Sequence, residues 1–145
     1  MKIYLTLGVF LVLVAVYSAQ EKSECEEHKE KAQKSSSPVK VVPNCESNGD
    51  YAGLQCHSEG RFCSCWRKDG TPITQPSTKI KSCECHRAKD DKLQTHKGAI
   101  GAYIPQCTED GRFDKQQCWG SIGMCWCVDI ETGRNTTAPS RNSNC

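Results

Sequence analysis

The chain opens with one long apolar stretch and never repeats it. Lys2 is followed by a run from Ile3 to Val16 in which apolar residues dominate, and then by Tyr17, Ser18 and Ala19. One basic residue, an apolar core and a small-residue exit read as a secretory signal peptide over residues 1–19, with cleavage after Ser18 or Ala19. The run is shorter than the roughly 20 residues a membrane span needs, so no membrane attachment is expected. After it the pattern turns charged and helix-prone. Ser23 and Glu26 have capping-box spacing, and Glu27–Lys31 and Glu30–Lys34 are favourable i,i+4 pairs. A segment without periodicity follows, then a turn and a short strand in "ESNGDYAGLQC". The same order returns later with "TEDGRFDKQQC". Asn48-Gly49 and Asp110-Gly111 supply the turns, and Tyr51 and Phe113 are predicted to start the strands.

The cysteines explain why the order returns. They fall at 25, 45, 56, 63, 65 and 83, and again at 85, 107, 118, 125, 127 and 145. The intervals are 20, 11, 7, 2 and 18 in the first set and 22, 11, 7, 2 and 18 in the second. Two copies of one module stand in tandem, residues 20–83 and 85–145, with only Glu84 between the last cysteine of one and the first of the next. So short a connection holds the modules close. The predicted class is small, disulfide-rich α+β. Each module has a short N-terminal helix, a small antiparallel β-sheet and long loops.

Each module contains a Cys-x-Cys. In a strand, residues i and i+2 share a face, and a bridge between them would need a strained ring. Cys125 and Cys127 are therefore expected to bond to different partners and to pin two separate loops to one strand. Trp126 would lie on the opposite face and cover the sheet. In the first module Ser64 stands in that place, and Trp66, two residues on, supplies the indole to the same face.

Composition narrows the function. All 12 cysteines lie after the signal peptide, and the count leaves no obligatory free thiol. An exported chain with so many cysteines and so few large apolar side chains is a disulfide scaffold. Setting Lys2 aside, 18 basic residues face 17 acidic ones, balanced in both halves; this excludes the one-sided field of a nucleic-acid binder. With every cysteine paired there is no thiolate nucleophile, and His28, His57, His86 and His96 have no evident partner constellation, so no enzyme activity is expected. Zinc bound by a Cys-x-Cys with His57 and His86 is disfavoured by export, which favours disulfides. No metal and no cofactor are expected.

The motifs between the cysteines carry a resemblance. The second module has "YIPQC" (Tyr103 to Cys107), "GRFDKQQC" (Gly111 to Cys118) and "CWCV" (Cys125 to Val128). The first has "GDYAGLQC" (Gly49 to Cys56), but Val41 replaces an aromatic in "VVPNC" and "CSCW" replaces Cys-Trp-Cys-Val. With the cysteine spacing, this resembles the thyroglobulin type-1 domain, twice over. The resemblance implies pairing of consecutive cysteines: Cys25–Cys45, Cys56–Cys63, Cys65–Cys83, Cys85–Cys107, Cys118–Cys125 and Cys127–Cys145.

Small secreted members of that family are often thyropins, inhibitors of papain-like cysteine proteases, in which three loops at one edge enter the active-site cleft. The implied partner is such a protease, and the implied state is a monomer. In the second module the first loop is Lys97 to Ala102, with Gly98, Ala99, Ile100 and Gly101 as candidate contacts. The second is Gly120, Ser121, Ile122 and Gly123, and the third lies within Thr136 to Asn142. The first module offers "SSSPVKVV" (Ser35 to Val42) and "HSEGR" (His57 to Arg61), which are less small and more charged. The competing reading is a non-inhibitory secreted binding module, or a venom component acting on a receptor, growth factor or channel. Asn135, in "NTT", is the candidate glycosylation site.

Overall fold

In the computed structural model, residues 21–38, 40–57 and 60–145 are described. The signal peptide and Val39, Ser58 and Glu59 lie outside these residues. Helix α1 spans Glu24–Lys34 and begins where its sequence says it should. The Ser23 hydroxyl accepts from the Glu26 N–H and the Glu26 carboxylate accepts from the Ser23 N–H, so two orphan donors of the first turn are satisfied. Strands β1 (Leu54–Cys56) and β2 (Cys63–Cys65) follow, then α2 (Glu84–Thr95), β3 (Gln116–Trp119) and β4 (Met124–Cys127). Each module holds one two-stranded antiparallel sheet, β1–β2 and β3–β4. Tyr51 and Phe113 do not start the strands. They pair through isolated bridges with Cys45 and Cys107, and the strands begin three residues later. The reason is packing: a Cβ at Gly70 would meet the Tyr51 ring at 2.9 Å, and one at Gly133 would meet the Phe113 ring at 2.6 Å. Both glycines have positive φ, so each ring lies on backbone that no side chain can cover.

Six disulfides join consecutive cysteines, from Cys25–Cys45 through to Cys127–Cys145, and no free cysteine remains among the described residues. Cys125 and Cys127 have different partners, but only one bridge pins a loop. Cys118 and Cys125 face each other directly across the β3–β4 ladder, so their bond closes the hairpin behind its tip. The sulfurs also fill the interior. Cys63, Cys65 and Cys83 pack with Ile80 in the first module, and Cys85 packs with Phe113, Trp126 and Val128 in the second. Trp126 is buried against Tyr103, with ring centroids 4.9 Å apart. Trp66 occupies the matching face, where its indole N–H donates to the Ser64 hydroxyl at 2.9 Å and its ring lies against Tyr51 and His28.

The modules share a built joint. The Asp110 carbonyl accepts from the N–H groups of both Lys81 and Ser82, at 2.9 Å each. The Gly111 carbonyl accepts from the Cys85 N–H, capping the start of α2, whose N-cap residue Cys83 offers no side-chain bond. A Cβ at Gly111 would land inside the Ser82 carbonyl, so only glycine permits this approach. Side chains of α2 then reach the first module. The Arg67 guanidinium grips the Asp90 carboxylate with two bonds, at 2.5 and 2.8 Å, and Arg87 Nη1 lies 3.2 Å from Glu46 Oε1. Gly53 leaves room for Arg87, whose Cδ would be 2.8 Å from a Cβ there.

Candidate functional site

The second module gathers its loops at the end of the sheet away from the joint. The β3–β4 tip, Gly120 to Gly123, is a tight turn with bonds from the Ile122 N–H to the Trp119 carbonyl and from the Gly123 N–H to the Gly120 carbonyl. Gly123 has φ +63°, which the turn requires and a side chain would resist. The Cys118–Cys125 bridge lies at the first strand pair but one from this tip and fixes its base.

The loop from Lys97 to Ala102 leaves the end of α2 and crosses to the same tip. Gly98 and Gly101 have φ +82° and +79°, and the Ala99 N–H closes a turn onto the His96 carbonyl. Between the glycines Ile100 stands fully in solvent at 104% relative exposure. The Gly101 carbonyl then accepts two bonds from the hairpin, from the Trp119 indole N–H at 2.6 Å and from the Ser121 hydroxyl at 2.7 Å. Ile122 is half exposed beside it. Two apolar tips project from a surface of glycine, alanine and serine backbone.

The third segment reaches the sheet from the other side of β4. Ser140 and Cys125 exchange backbone bonds at 2.9 and 2.8 Å, two residues from Gly123. Thr137 is anchored more deeply, its hydroxyl accepting from the Cys127 N–H at 2.9 Å. The whole segment from 134 to 142 is exposed, with Thr137 and Ser140 as its two anchors on β4. So the geometry joins Gly98, Ala99, Ile100 and Gly101 to Gly120, Ser121, Ile122 and Gly123, and places the third loop beside them. Asn135 is exposed but bridges Val128, at the opposite end of β4 from the tip.

Electrostatically the edge is plain. Residues 96–104, 116–126 and 136–145 contain Lys97 and Arg141 and no Asp or Glu side chain. Of the groups with displaced titration, Tyr103 is raised by burial, and its hydroxyl donates to Gln117 Oε1 at 2.7 Å beneath the edge. Asp90, at the joint, is held below the usual carboxylate range, first by its bond from Arg67. Among the described residues, no group of three or more His, Cys, Asp or Glu is placed to hold a metal ion, and no helix is long and apolar enough to cross a membrane.

Two contributors to this arrangement are not marked as such by the sequence. Trp119, directly after a strand cysteine, joins the two loops through its indole N–H, a contact that spacing does not reveal. Asp110-Gly111 is more than the expected turn: the Asp110 carbonyl also binds Lys81 and Ser82 of the first module, and the Gly111 carbonyl caps α2. The corresponding edge of the first module differs. Its first loop is held by Lys40, whose ammonium donates to the Ser35 and Gln33 carbonyls at 2.9 and 3.4 Å, and its hairpin exposes Phe62.

Comparison with known proteins agrees with this architecture. The family model of the thyroglobulin type-1 repeat matches twice, over residues 19–85 and 83–145. The chain is 45% identical over 140 residues to U20-hexatoxin-Hi1a of Hadronyche infensa, covering 95% of this chain and 96% of that one. It is 40% identical over 111 residues to U24-ctenitoxin-Pn1a of Phoneutria nigriventer, covering 77% and 85%. A stretch of 52 residues is 54% identical to equistatin of Actinia equina, covering 34% of this chain and 22% of that protein. With its two matched repeats, its two modules and its six bridges, the chain belongs to the thyroglobulin type-1 family.

Proposed function

We propose that the mature protein is a secreted, non-enzymatic inhibitor of papain-like cysteine proteases, acting reversibly and mainly through its second module. The observation that carries this reading is the joining of two loops into one edge with Ile100 and Ile122 outermost. Small side chains let such an edge approach the backbone of a narrow apolar cleft. Loops already ordered by a disulfide and by mutual bonds lose little conformational entropy on binding. Cleavage is resisted because the backbone enters as tight glycine turns rather than as an extended strand. Export is consistent with the disulfide content.

Inhibition of papain and of cathepsins L, B and S tests the reading, with nanomolar affinity expected, as for many protease–inhibitor pairs. Ile100→Asp and Ile122→Asp, at exposed positions with negative φ, should each weaken inhibition by about tenfold or more, since an unpaired charge is costly in a dry cleft. They are preferable to changes at Gly101, where any side chain would meet left-handed backbone and Ser121. Micromolar protein that leaves all four proteases active would sink the proposal. The second reading, a venom component with another target, would then lead, because two relatives sharing most of the chain carry toxin names.

A further inference from the structure

We infer that Trp119 and Ser121 are positioning residues that lock the 97–102 loop to the hairpin tip, so that the two loops meet a partner as one rigid body. The inference rests on the proposed protease-binding role of this edge, but its geometry stands apart from it. A peptide carbonyl oxygen has two lone pairs. At Gly101 both are used, by the indole N–H at 2.6 Å and by the hydroxyl at 2.7 Å. The two donors come from either side of Gly120 on one short tip, which Cys118–Cys125 closes from behind. Gly101 permits the approach: a Cβ there would be 3.2 Å from Ser121 Cβ, and its φ of +79° turns the carbonyl toward the hairpin.

The rest of this loop has few holds of its own. Residues 96–101 are all exposed, and a Cβ at Gly98 would meet nothing within 4 Å. The Ala99 turn onto His96 orders the first half, and the double bond at Gly101 ties down the second. Trp119 is itself braced by Tyr103, with ring centroids 6.4 Å apart. In the first module His57 and Glu59 stand at the places of Trp119 and Ser121. That loop is held instead by Lys40 from within its own segment. Among the described residues, two donors from a hairpin tip onto one loop carbonyl are found in the second module.

A further consequence is chemical. A protease that cleaves a peptide must place the scissile carbonyl oxygen among its own donors, where negative charge develops. The Gly101 oxygen has no lone pair left to offer, so the Gly101–Ala102 bond is a poor substrate while the lock is closed.

Three variants test the inference: Trp119→Phe, which keeps a ring against Tyr103 but has no N–H, Ser121→Ala, and the pair together. The first readout needs no target protease. Trypsin cleavage after Lys97, followed by mass spectrometry, should be slow in the parent and at least tenfold faster in the double variant. The second readout is inhibition of papain. Each single change should weaken it about fivefold and the pair about 25-fold, as expected for two neutral hydrogen bonds of ordinary strength. The loss should appear mainly in the dissociation rate, and Ser121→Thr should restore the parent value. Prolonged incubation of the double variant with papain should yield cleavage between Gly101 and Ala102. Unchanged trypsin cleavage overturns the lock. Faster trypsin cleavage with unchanged papain inhibition overturns its role in recognition. If the parent itself inhibits nothing, the proposed function fails, and the trypsin comparison alone decides whether the lock exists.

Discussion

At the scale of single residues, the least conspicuous side chains do the most. Gln55 and Gln117, each just before a strand cysteine, are almost completely buried. Gln117 Oε1 accepts from the Gln106 N–H at 2.9 Å, and Nε2 donates to the carbonyls of Gln106 and Asp114 at 2.8 and 2.7 Å. Gln55 repeats this with the Asn44 N–H and the carbonyls of Asn44 and Ala52. One side-chain amide thus stands in for the missing strand partner of each aperiodic segment, satisfying backbone groups that burial would otherwise leave orphaned. Gln117→Met, of similar volume, should cost about 2–4 kcal/mol, because two donors (the Gln106 N–H and the Tyr103 hydroxyl) and two acceptors lose their partner. Denaturant unfolding of the parent and the variant, with bridges intact, measures it; a loss below about 0.5 kcal/mol would show that water replaces the amide. The glutamine was legible as part of a motif, but its role was not. Nothing in a sequence distinguishes a buried amide that mimics backbone from an exposed one on a strand.

At the scale of elements, the start of α1 and the Cys-x-Cys geometry were readable because they depend on neighbours in sequence, whereas the start of α2 is capped by Gly111, 26 residues beyond Cys85. Ser23 with Glu26, and Cys125 with Cys127, declare themselves through spacing alone. The strand starts were not, because Tyr51 and Phe113 are placed by glycines about 20 residues away. The equal interval of 18 before the last cysteine also concealed a difference. In the first module the turn after β2 closes from the Gly70 N–H to the Arg67 carbonyl, and in the second from the Gly133 N–H to the Asp129 carbonyl, one residue longer. Thr74 and Thr137 still accept from the second Cys-x-Cys cysteine, and Ser77 and Ser140 still bridge the first. The extra residue is taken up in the turn and lost again before Cys145. This places Asn135 beside Val128, three residues along the strand from Cys125 and so about 10 Å from where Ser140 pairs at the tip end. A glycan there points to the rim. Asn135→Gln should therefore change inhibition less than threefold, measured against one cathepsin beside enzymatically deglycosylated protein. A tenfold gain on losing the sugar would mean that the third loop reaches deeper.

At the scale of the whole molecule, the sequence said only that the modules are close; which surfaces meet was hidden, because Arg67 and Asp90 are 23 residues apart with no periodicity linking them. The Asp90 carboxyl is held below its ordinary value by Arg67, so its contribution is fully present above about pH 4 and is lost as pH falls through the lower folded value. The relative placement of the modules should thus be unchanged from pH 7 to pH 5 and loosen only in stronger acid, whereas Arg67→Ala should loosen it at pH 7. Small-angle scattering or relaxation measurements on the parent and the variant read this directly; equal rigidity in Arg67→Ala would remove the ion pair from the joint. A head-to-tail contact of this kind has a further implication, since an interface whose two halves differ can propagate without end into a filament. The surfaces left over at the two ends of the molecule are edited against that. Where the first module offers Glu46, Gly53 and Arg67 to its neighbour, the second has Thr108, Lys115 and Asp129, and where α2 carries Arg87 and Asp90, α1 carries Glu27 and Glu30. A second copy docked in the same way would set Lys115 where Gly53 leaves room for Arg87, and Glu30 against Asp129 in place of the Arg67–Asp90 pair. Docking of a second copy in this way is therefore disfavoured, and the protein is expected to sediment as a single chain even at millimolar concentration; a concentration-dependent rise in sedimentation coefficient would count against this.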